Sequence, residues 1–254
     1  MEDFVGIIPA AGKGTRLPEL RGSKEIVPVR ALETAEPAKD EARAVCLHQM
    51  DAMQFAGIDR QIMVLGTGKW DIPTELARVE AGAPRCAYVV LADSPGVPWT
   101  IDAAYSLTRG SNVAMGFPDI LTTRRDLFVR LCDELGTTDL DVVLALFPTD
   151  QGHSGDVVSL TSERRVSQIR PKPRGVGRAR VWIAAVWRPS FTEYLHQYIC
   201  AANVSAEHGH ELYIGDILNS SIGELAIGAV DFPGGRFLDI GTPENLDLVR
   251  PRVR

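Results

Sequence analysis

Phe4-Val5-Gly6-Ile7-Ile8-Pro9-Ala10-Ala11-Gly12-Lys13-Gly14-Thr15-Arg16 begins as an unbroken apolar run and ends in small residues and charge. Phe4 to Ile8 offers no polar face to water, so it reads as a strand buried on both sides, as in a parallel sheet. Ala10, Ala11, Gly12 and Gly14 are small enough for successive backbone N–H groups to approach a ligand closely, and such a turn makes a nest for anions. Arg16 brings a full positive charge to it, and Lys24 follows in Ser23-Lys24-Glu25-Ile26-Val27-Pro28-Val29. Two other phosphate loops are excluded: G-x-x-x-x-G-K-[ST] is absent, and Leu17 stands where G-x-G-x-x-G needs its third glycine.

The pattern continues outward from that opening. Residues 39 to 56 carry Ala42, Val45, Cys46, Gln49, Met50, Met53 and Phe55 at helical spacing, and Gly57 ends the helix. Apolar strands are expected at 61–65, 86–91, 112–116 and 141–146, with helices near 73–81, 101–109 and 124–135 between and around them. Asp156 to Gln168 reads as a hairpin about the polar turn Thr161-Ser162-Glu163-Arg164. A strand at 180–187, helices at 190–200 and 211–221, a strand at 225–232 and a last helix at Thr242-Pro243 complete the chain. Strands alternating with helices predict an α/β fold with a mostly parallel, Rossmann-like sheet flanked by helices, plus a small side β-hairpin. Residues 1–254 are read as a single domain.

The net charge of −6 argues against nucleic acid and anionic membranes as partners, since both reward a basic field. Lys13, Arg16, Arg21, Lys24 and Arg30 against Glu19 and Glu25 form a local basic island, the natural place for a polyphosphate. Cys46, Cys86, Cys132 and Cys200 form no C-x-x-C pair and read as buried free thiols in a reducing compartment. Met1-Glu2-Asp3 is acidic and the first apolar run is short, so the expectation is a cytoplasmic protein without a signal peptide.

The motif Ile8-Pro9-Ala10-Ala11-Gly12-Lys13-Gly14-Thr15-Arg16, with Lys24 before a short apolar run, resembles the opening of the sugar-1-phosphate nucleotidyltransferases, A-G-x-G-T-R followed by P-K. The variant here is most similar to the UTP–glucose-1-phosphate uridylyltransferases, with glucose-1-phosphate thymidylyltransferases next, and the likeness covers nearly the whole chain. It implies that Ala10, Ala11, Gly12, Lys13, Gly14 and Thr15 hold a nucleoside triphosphate, that Arg16 neutralises departing pyrophosphate, and that Lys24 contacts phosphate during transfer. Gly96 is implied on the nucleotide side. Ser23 replaces the proline before the lysine.

Two further segments carry the resemblance. Val113 to Leu121 contains Asp119, and Phe237-Leu238-Asp239-Ile240-Gly241-Thr242-Pro243 matches D-x-G-T-P, so Asp119 and Asp239 are the implied metal ligands. Two carboxylates at strand ends suit Mg²⁺, which completes its shell with phosphate oxygens and water. Pro171-Lys172-Pro173 resembles E-K-P, and Glu211 to Ile217 resembles E-x-x-L-T-D. The implied acceptor site is Gly155, Lys172, Ala184 and Glu211, with Lys172 on the acceptor phosphate.

Departures from the pattern fall on the specificity segments. Pro171 replaces the glutamate that holds sugar hydroxyls, Leu91 replaces a base-reading glutamine with Asp93 the nearest polar substitute, and Ala184 or Ala185 replaces a pocket glycine. The expected reaction is transfer of a nucleoside monophosphate from UTP or dTTP, or else CTP, to a phosphorylated acceptor such as a sugar 1-phosphate. The rival is a nucleotide-binding protein of the same fold without turnover. A homo-oligomer is compatible with either. His208-Gly209-His210 reads as a polar loop, Gly152-His153-Ser154-Gly155 lacks the G-x-S-x-G elbow, and Trp182 and Trp187 read as core.

Overall fold

The computed structural model describes residues 3–32, 42–78, 86–152, 155–204 and 212–251. The strands are β1 (Phe4–Ala10), β2 (Pro28–Val29), β3 (Arg43–Ala44), β4 (Gln61–Gly66), β5 (Cys86–Leu91), β6 (Asn112–Gly116), β7 (Ile120–Thr122), β8 (Val142–Thr149), β9 (Val157–Leu160), β10 (Val166–Arg170), β11 (Ala179–Trp187), β12 (Ile227–Asp231) and β13 (Phe237–Asp239). The helices are α1 (Val45–Phe55), α2 (Asp71–Leu76), α3 (Val97–Asp102), α4 (Tyr105–Thr108), α5 (Leu127–Thr137), α6 (Pro189–Val204), α7 (Ile214–Ser220) and α8 (Pro243–Asp247).

The sheet runs β12-β8-β11-β6-β1-β4-β5, and all pairings are parallel except those of β11, which is antiparallel to both β6 and β8. The mostly parallel α/β sheet flanked by helices is therefore present. β8 occupies one edge of β11 from Ala179 to Trp187. On the other edge β6 covers Ala184–Trp187, and the β9–β10 hairpin joins at Val181. The sheet thus forks beyond Gly116, and the register of β11 against β8 shifts between Trp182 and Ala184 at the fork.

Strand β1 shows why the opening run had to be apolar throughout. Val5 and Ile7 pack into one core layer with Ile101, Phe191 and Leu195, while Ile8 and Ala10 pack into the other with Leu47, Met50 and Phe128. Residues two apart share a face, so helices on both sides leave no position for a polar side chain. A third, smaller cluster of Leu17, Val29, Val45, Leu121, Ile240 and Leu246 lies beneath the loop that follows β1.

Several boundaries differ from the sequence expectation. The helix expected over 39–56 begins at Val45, because Arg43–Ala44 pairs with Pro28–Val29 and the Val45 N–H donates to Val27 O at 3.1 Å. It ends as expected, with Gly57 N–H donating to Gln54 O (2.9 Å) and Ile58 N–H to Met53 O (3.0 Å), the paired bonds of a Schellman motif. The 101–109 segment is two short helices; α3 starts early with Pro98 in its first turn, and Thr108 Oγ1 bonds back to Ala104 O at 3.1 Å near the break. β7 and β13 pair antiparallel in a separate two-stranded sheet. Parts of the expected helices at 39–56, 73–81 and 211–221 lie outside the described residues.

No cysteine is in a disulfide, but of the four thiols only Cys46 is fully buried, and Cys200 is exposed rather than buried. Among the described residues no helix is long and apolar enough to cross a membrane.

Candidate active site

The C-terminal ends of β1 and β6 open into a cleft of about 830 Å³. The loop after β1 forms one wall. Gly14 there has φ +63°, a left-handed conformation that a side chain would strain, and its carbonyl accepts the Leu17 N–H at 3.0 Å to close the turn. Leu17 is buried in the small cluster beneath, so the loop is anchored at its far end while Gly12, Lys13, Thr15 and Arg16 stay exposed. A Cβ at Gly12 would meet no atom within 4 Å, which leaves open space in front of the backbone.

Lys24 and the two aspartates meet opposite that loop. Lys24 follows a tight turn, and its ammonium donates to the Asp119 carboxylate with both side chains largely buried. Asp119 lies between β6 and β7, and Asp239 ends β13. The β7–β13 ladder sets Asp239 opposite Ile120, and Ile240 N–H donates to Asp119 O at 3.0 Å. Residues 120 positions apart are so joined by two strands of three residues each.

The electrostatics follow from this crowding. Burial raises the Asp239 carboxyl above the ordinary aspartate range and Asp119 adds to the rise, against the Gly241 N–H at 2.7 Å, Lys24 and Arg16. Burial alone would lower Lys24, but Asp119, Glu25 and Asp239 outweigh it and hold the ammonium above its ordinary value. Glu25 is pushed up by burial, with Lys69 at 2.7 Å opposing. Lys13, Arg16, Lys24 and Lys172 face the cleft against Glu25, Asp93, Asp119, Asp156 and Asp239. A polyphosphate placed there needs more positive charge than these side chains supply. Among the described residues no three His, Cys, Asp or Glu side chains converge, and Asp119 and Asp239 are the pair of carboxylates that could hold a hard cation, which would relieve the repulsion that raises Asp239.

The other end of the cleft is built from Gly155, Asp156, Lys172, Trp182 and Tyr213. Lys172 has φ +37°, an uncommon backbone state for a side-chain-bearing residue, and its Nζ sits 4.1 Å from the centre of the Tyr213 ring. Tyr213 caps α7, its backbone N–H donating to Asp216 Oδ2 at 2.9 Å. Asp156 is 8% exposed; burial pushes its carboxyl up while Lys172 pulls it down. Gly215 leaves room beside it, since a Cβ there would overlap the Asp156 carboxylate and force it to shift. The Gly96 end is braced by Ser94 Oγ, which lies 2.7 Å from Thr100 Oγ1 and donates to Gly96 O at 2.8 Å.

The structure brings together Ala11, Gly12, Lys13, Gly14, Thr15, Arg16, Lys24, Gly96, Asp119, Gly155, Lys172 and Asp239 around one cleft. It does not bring Ala10 or Ala184 to the surface of that cleft: Ala10 is 1% and Ala184 0% exposed, both within a core layer, and Val181, Trp182 and Ile183 of the same strand form the wall instead. Glu211 and the His208-Gly209-His210 loop lie outside the described residues. Trp187 is core, whereas Trp182 is both core and cleft wall. Asp156 and Tyr213 are site residues that the sequence reading passed over. The sequence signal for Asp156 is a carboxylate set directly before the apolar Val157-Val158, while Tyr213 carries no signal of its own.

No protein-family model and no curated protein matches the chain. Solved structures do. A putative glucose-1-phosphate thymidylyltransferase from Bacillus anthracis, in complex with sucrose, superposes with a TM-score of 0.79 at 16% identity, covering 96% of this chain and 93% of that one. HddC from Yersinia pseudotuberculosis superposes with a TM-score of 0.67 at 15% identity, covering 98% and 97%, and its complex with GMP-PN gives 0.62 at 14% over the same shares. Across nearly its whole length the chain therefore has the fold of this thymidylyltransferase-like structure and of HddC.

Proposed function

We propose that the cleft transfers a nucleoside monophosphate from a nucleoside triphosphate to a phosphorylated small-molecule acceptor and releases pyrophosphate. The carrying observation is that the glycine-rich loop after β1, Lys24, and aspartates from distant parts of the chain face one another across a single cleft. The fold shared with the structures above supports the same reading.

An acceptor phosphate oxygen attacks the α-phosphorus in line with the departing pyrophosphate. No covalent protein group is needed, only positioning and charge neutralisation. The exposed backbone of Gly12 to Thr15 cradles the triphosphate, and Arg16 meets the negative charge that grows on pyrophosphate. Lys24, held at Asp119, lines the same cleft and would contact phosphate during transfer. Asp119 and Asp239 would hold Mg²⁺, which supplies positive charge beside the reacting phosphates when bound. Lys172 binds the acceptor phosphate, and Gly96 borders the nucleoside.

The acceptor is read as a sugar 1-phosphate or another phosphorylated alcohol, with UTP or dTTP ahead of CTP as donor. Pro171 has neither a side-chain polar atom nor a backbone N–H, so its side chain cannot replace a glutamate in accepting from sugar hydroxyls. Among the described residues Asp156, buried beside Lys172, is the carboxylate on that side of the cleft. The test is pyrophosphate release with and without Mg²⁺, across five nucleoside triphosphates and a panel of phosphorylated acceptors. Release that requires triphosphate, acceptor and Mg²⁺ together is the expected result; nucleotide binding without release under every mixture would assign the cleft to a binding protein instead.

A further inference from the structure

Helix α6 carries His196 and Cys200 one turn apart, so both project from the same helical face. His196 Nε2 stands 3.7 Å from Cys200 Sγ, and His196 Nδ1 stands 2.8 Å from Asp102 Oδ1 at the end of α3. An ionised carboxylate only accepts, so the neutral ring keeps its proton on Nδ1 and turns Nε2, an acceptor, toward the thiol. The ring cannot easily rotate away. Tyr105 of α4 stacks on it with centroids 3.7 Å apart and planes 6° apart, and the Tyr105 hydroxyl donates to Glu193, whose carboxylate oxygens are 2.9 and 3.0 Å away.

A base held by an aspartate and aimed at an exposed thiol is the arrangement that activates cysteine nucleophiles. Two of the other thiols are set against such chemistry: burial pushes Cys46 up to about 12 and Cys86 up to about 11. Cys200 is exposed, and none of these residues lines the cleft described above.

We propose that Cys200, with His196 as its base and Asp102 as the residue that positions His196, is a reactive thiol that forms a mixed disulfide with a small disulfide. The Cys200 proton passes to His196 Nε2, and the thiolate attacks one sulfur of R–S–S–R. The new bond joins Cys200 Sγ to that sulfur, the old S–S bond breaks, and R–S⁻ leaves and takes the proton from His196. Cys200 is oxidised to the disulfide level while half of the reagent is reduced to thiol.

The experiment is reaction of the full chain with 5,5′-dithiobis(2-nitrobenzoate) at pH 7, followed by peptide mapping, with glutathione disulfide as a second reagent. A fast phase at Cys200, at least roughly tenfold faster than N-acetylcysteine, is expected, because base assistance contributes on that scale or more. C200S should abolish the fast phase. H196A and D102N should slow it, and added imidazole should restore it in H196A, a rescue that a merely structural histidine would not show. Cys200 in the native chain reacting no faster than N-acetylcysteine would overturn the proposal, as would an H196A protein of unchanged circular dichroism reacting at the native rate.

Discussion

Ser23 donates both its backbone N–H and its hydroxyl to the carboxylate of Asp71, each at 2.7 Å. This pair of hydrogen bonds ties the segment after the glycine-rich loop to the first residue of α2, one residue before Lys24. The position is the one where the resemblance expects proline. Ser23 has φ −65°, the value a proline ring imposes, so Ser23→Pro keeps the backbone angle but removes both donors and puts the ring Cδ where the N–H met Asp71 Oδ2, so that the carboxylate must move aside. We expect it to destabilise the protein by about 1–2 kcal/mol in urea unfolding at pH 7. Burial tends to raise Asp71, but the Ser23 bonds outweigh it and hold it below the ordinary aspartate range. A depressed carboxyl stabilises above the unfolded value and loses that contribution as pH falls through the folded one. The gap between native and Ser23→Pro should therefore close on acidification below about pH 4; a gap that persists unchanged at pH 2 would remove Asp71 from the explanation.

Asp119→Asn and Asp239→Asn should each lower pyrophosphate release by at least about a hundredfold without loss of circular dichroism, because each removes half of the proposed cation site. Near-native turnover in either variant would exclude that aspartate from the chemistry.

Arg16→Ala should be far more damaging than Lys13→Ala. Lys13 spends its charge on Asp93 in an exposed pair at 3.1 Å on the rim, where ion pairs contribute little. Arg16 lies by Gly241 and Asp239, and on the proposed function its charge would lower the barrier by roughly 3 kcal/mol by meeting the leaving group. Steady-state rates for the two variants decide it: equal, small losses would reduce the loop to a structural turn.

His48 on α1 gives a pH prediction remote from the cleft. Burial first, and Arg43 second, lower its imidazole to about 4, and its Nε2 is buried with no partner among the described residues. The unfolded chain takes up a proton near the ordinary histidine value while the folded chain resists. Stability is thus complete above about pH 6.5 and falls as pH drops toward 4, by roughly 3 kcal/mol at most. Thermal unfolding of native and His48→Gln protein at pH 7 and pH 5 measures this, and an equal acid loss in both would place its origin elsewhere.

Asp156→Asn should change which acceptor is used while leaving the apparent KM for the triphosphate within about twofold, since its carboxylate faces the Lys172 end of the cleft. Rates across sugar 1-phosphates and non-sugar phosphorylated alcohols supply the check. Efficient, strongly preferred use of glucose 1-phosphate by both proteins would show that the loss at Pro171 is without consequence.

The parts of the fold that were legible are those where burial leaves one chemical option. β1, β4, β6 and β8 are almost wholly apolar because helices cover both faces, and the small residues after β1 fall on a loop with open space before its backbone at the cleft. The direction of β11 was not legible, because a strand buried on both faces has the same composition whether it runs with its neighbours or against them. Strands β7 and β13 are too short for any periodicity, so Asp119 and Asp239 could be paired only through resemblance, and their meeting became visible only as a ladder. Ala184 was misplaced for a related reason: the register shift between Trp182 and Ala184 decides which side chains of β11 face the cleft, and a shift of one residue leaves no mark on an apolar run.

The reversed strand also bears on how such a protein can be remodelled. In a wholly parallel sheet, only segments that follow strands reach the rim where ligands bind. Because β11 runs the other way, the stretch that precedes it, with Lys172 and the β9–β10 hairpin, arrives at the same rim as the loop after β1. On the function proposed above, much of the acceptor's contact surface would thereby lie on the stretch between β8 and β11, with Trp182 and Tyr213 completing it from outside that stretch. Exchange of residues 150–178 between proteins of this fold, with Lys172 kept, would accordingly alter that stretch while leaving the loop after β1, Lys24, Asp119 and Asp239 in place.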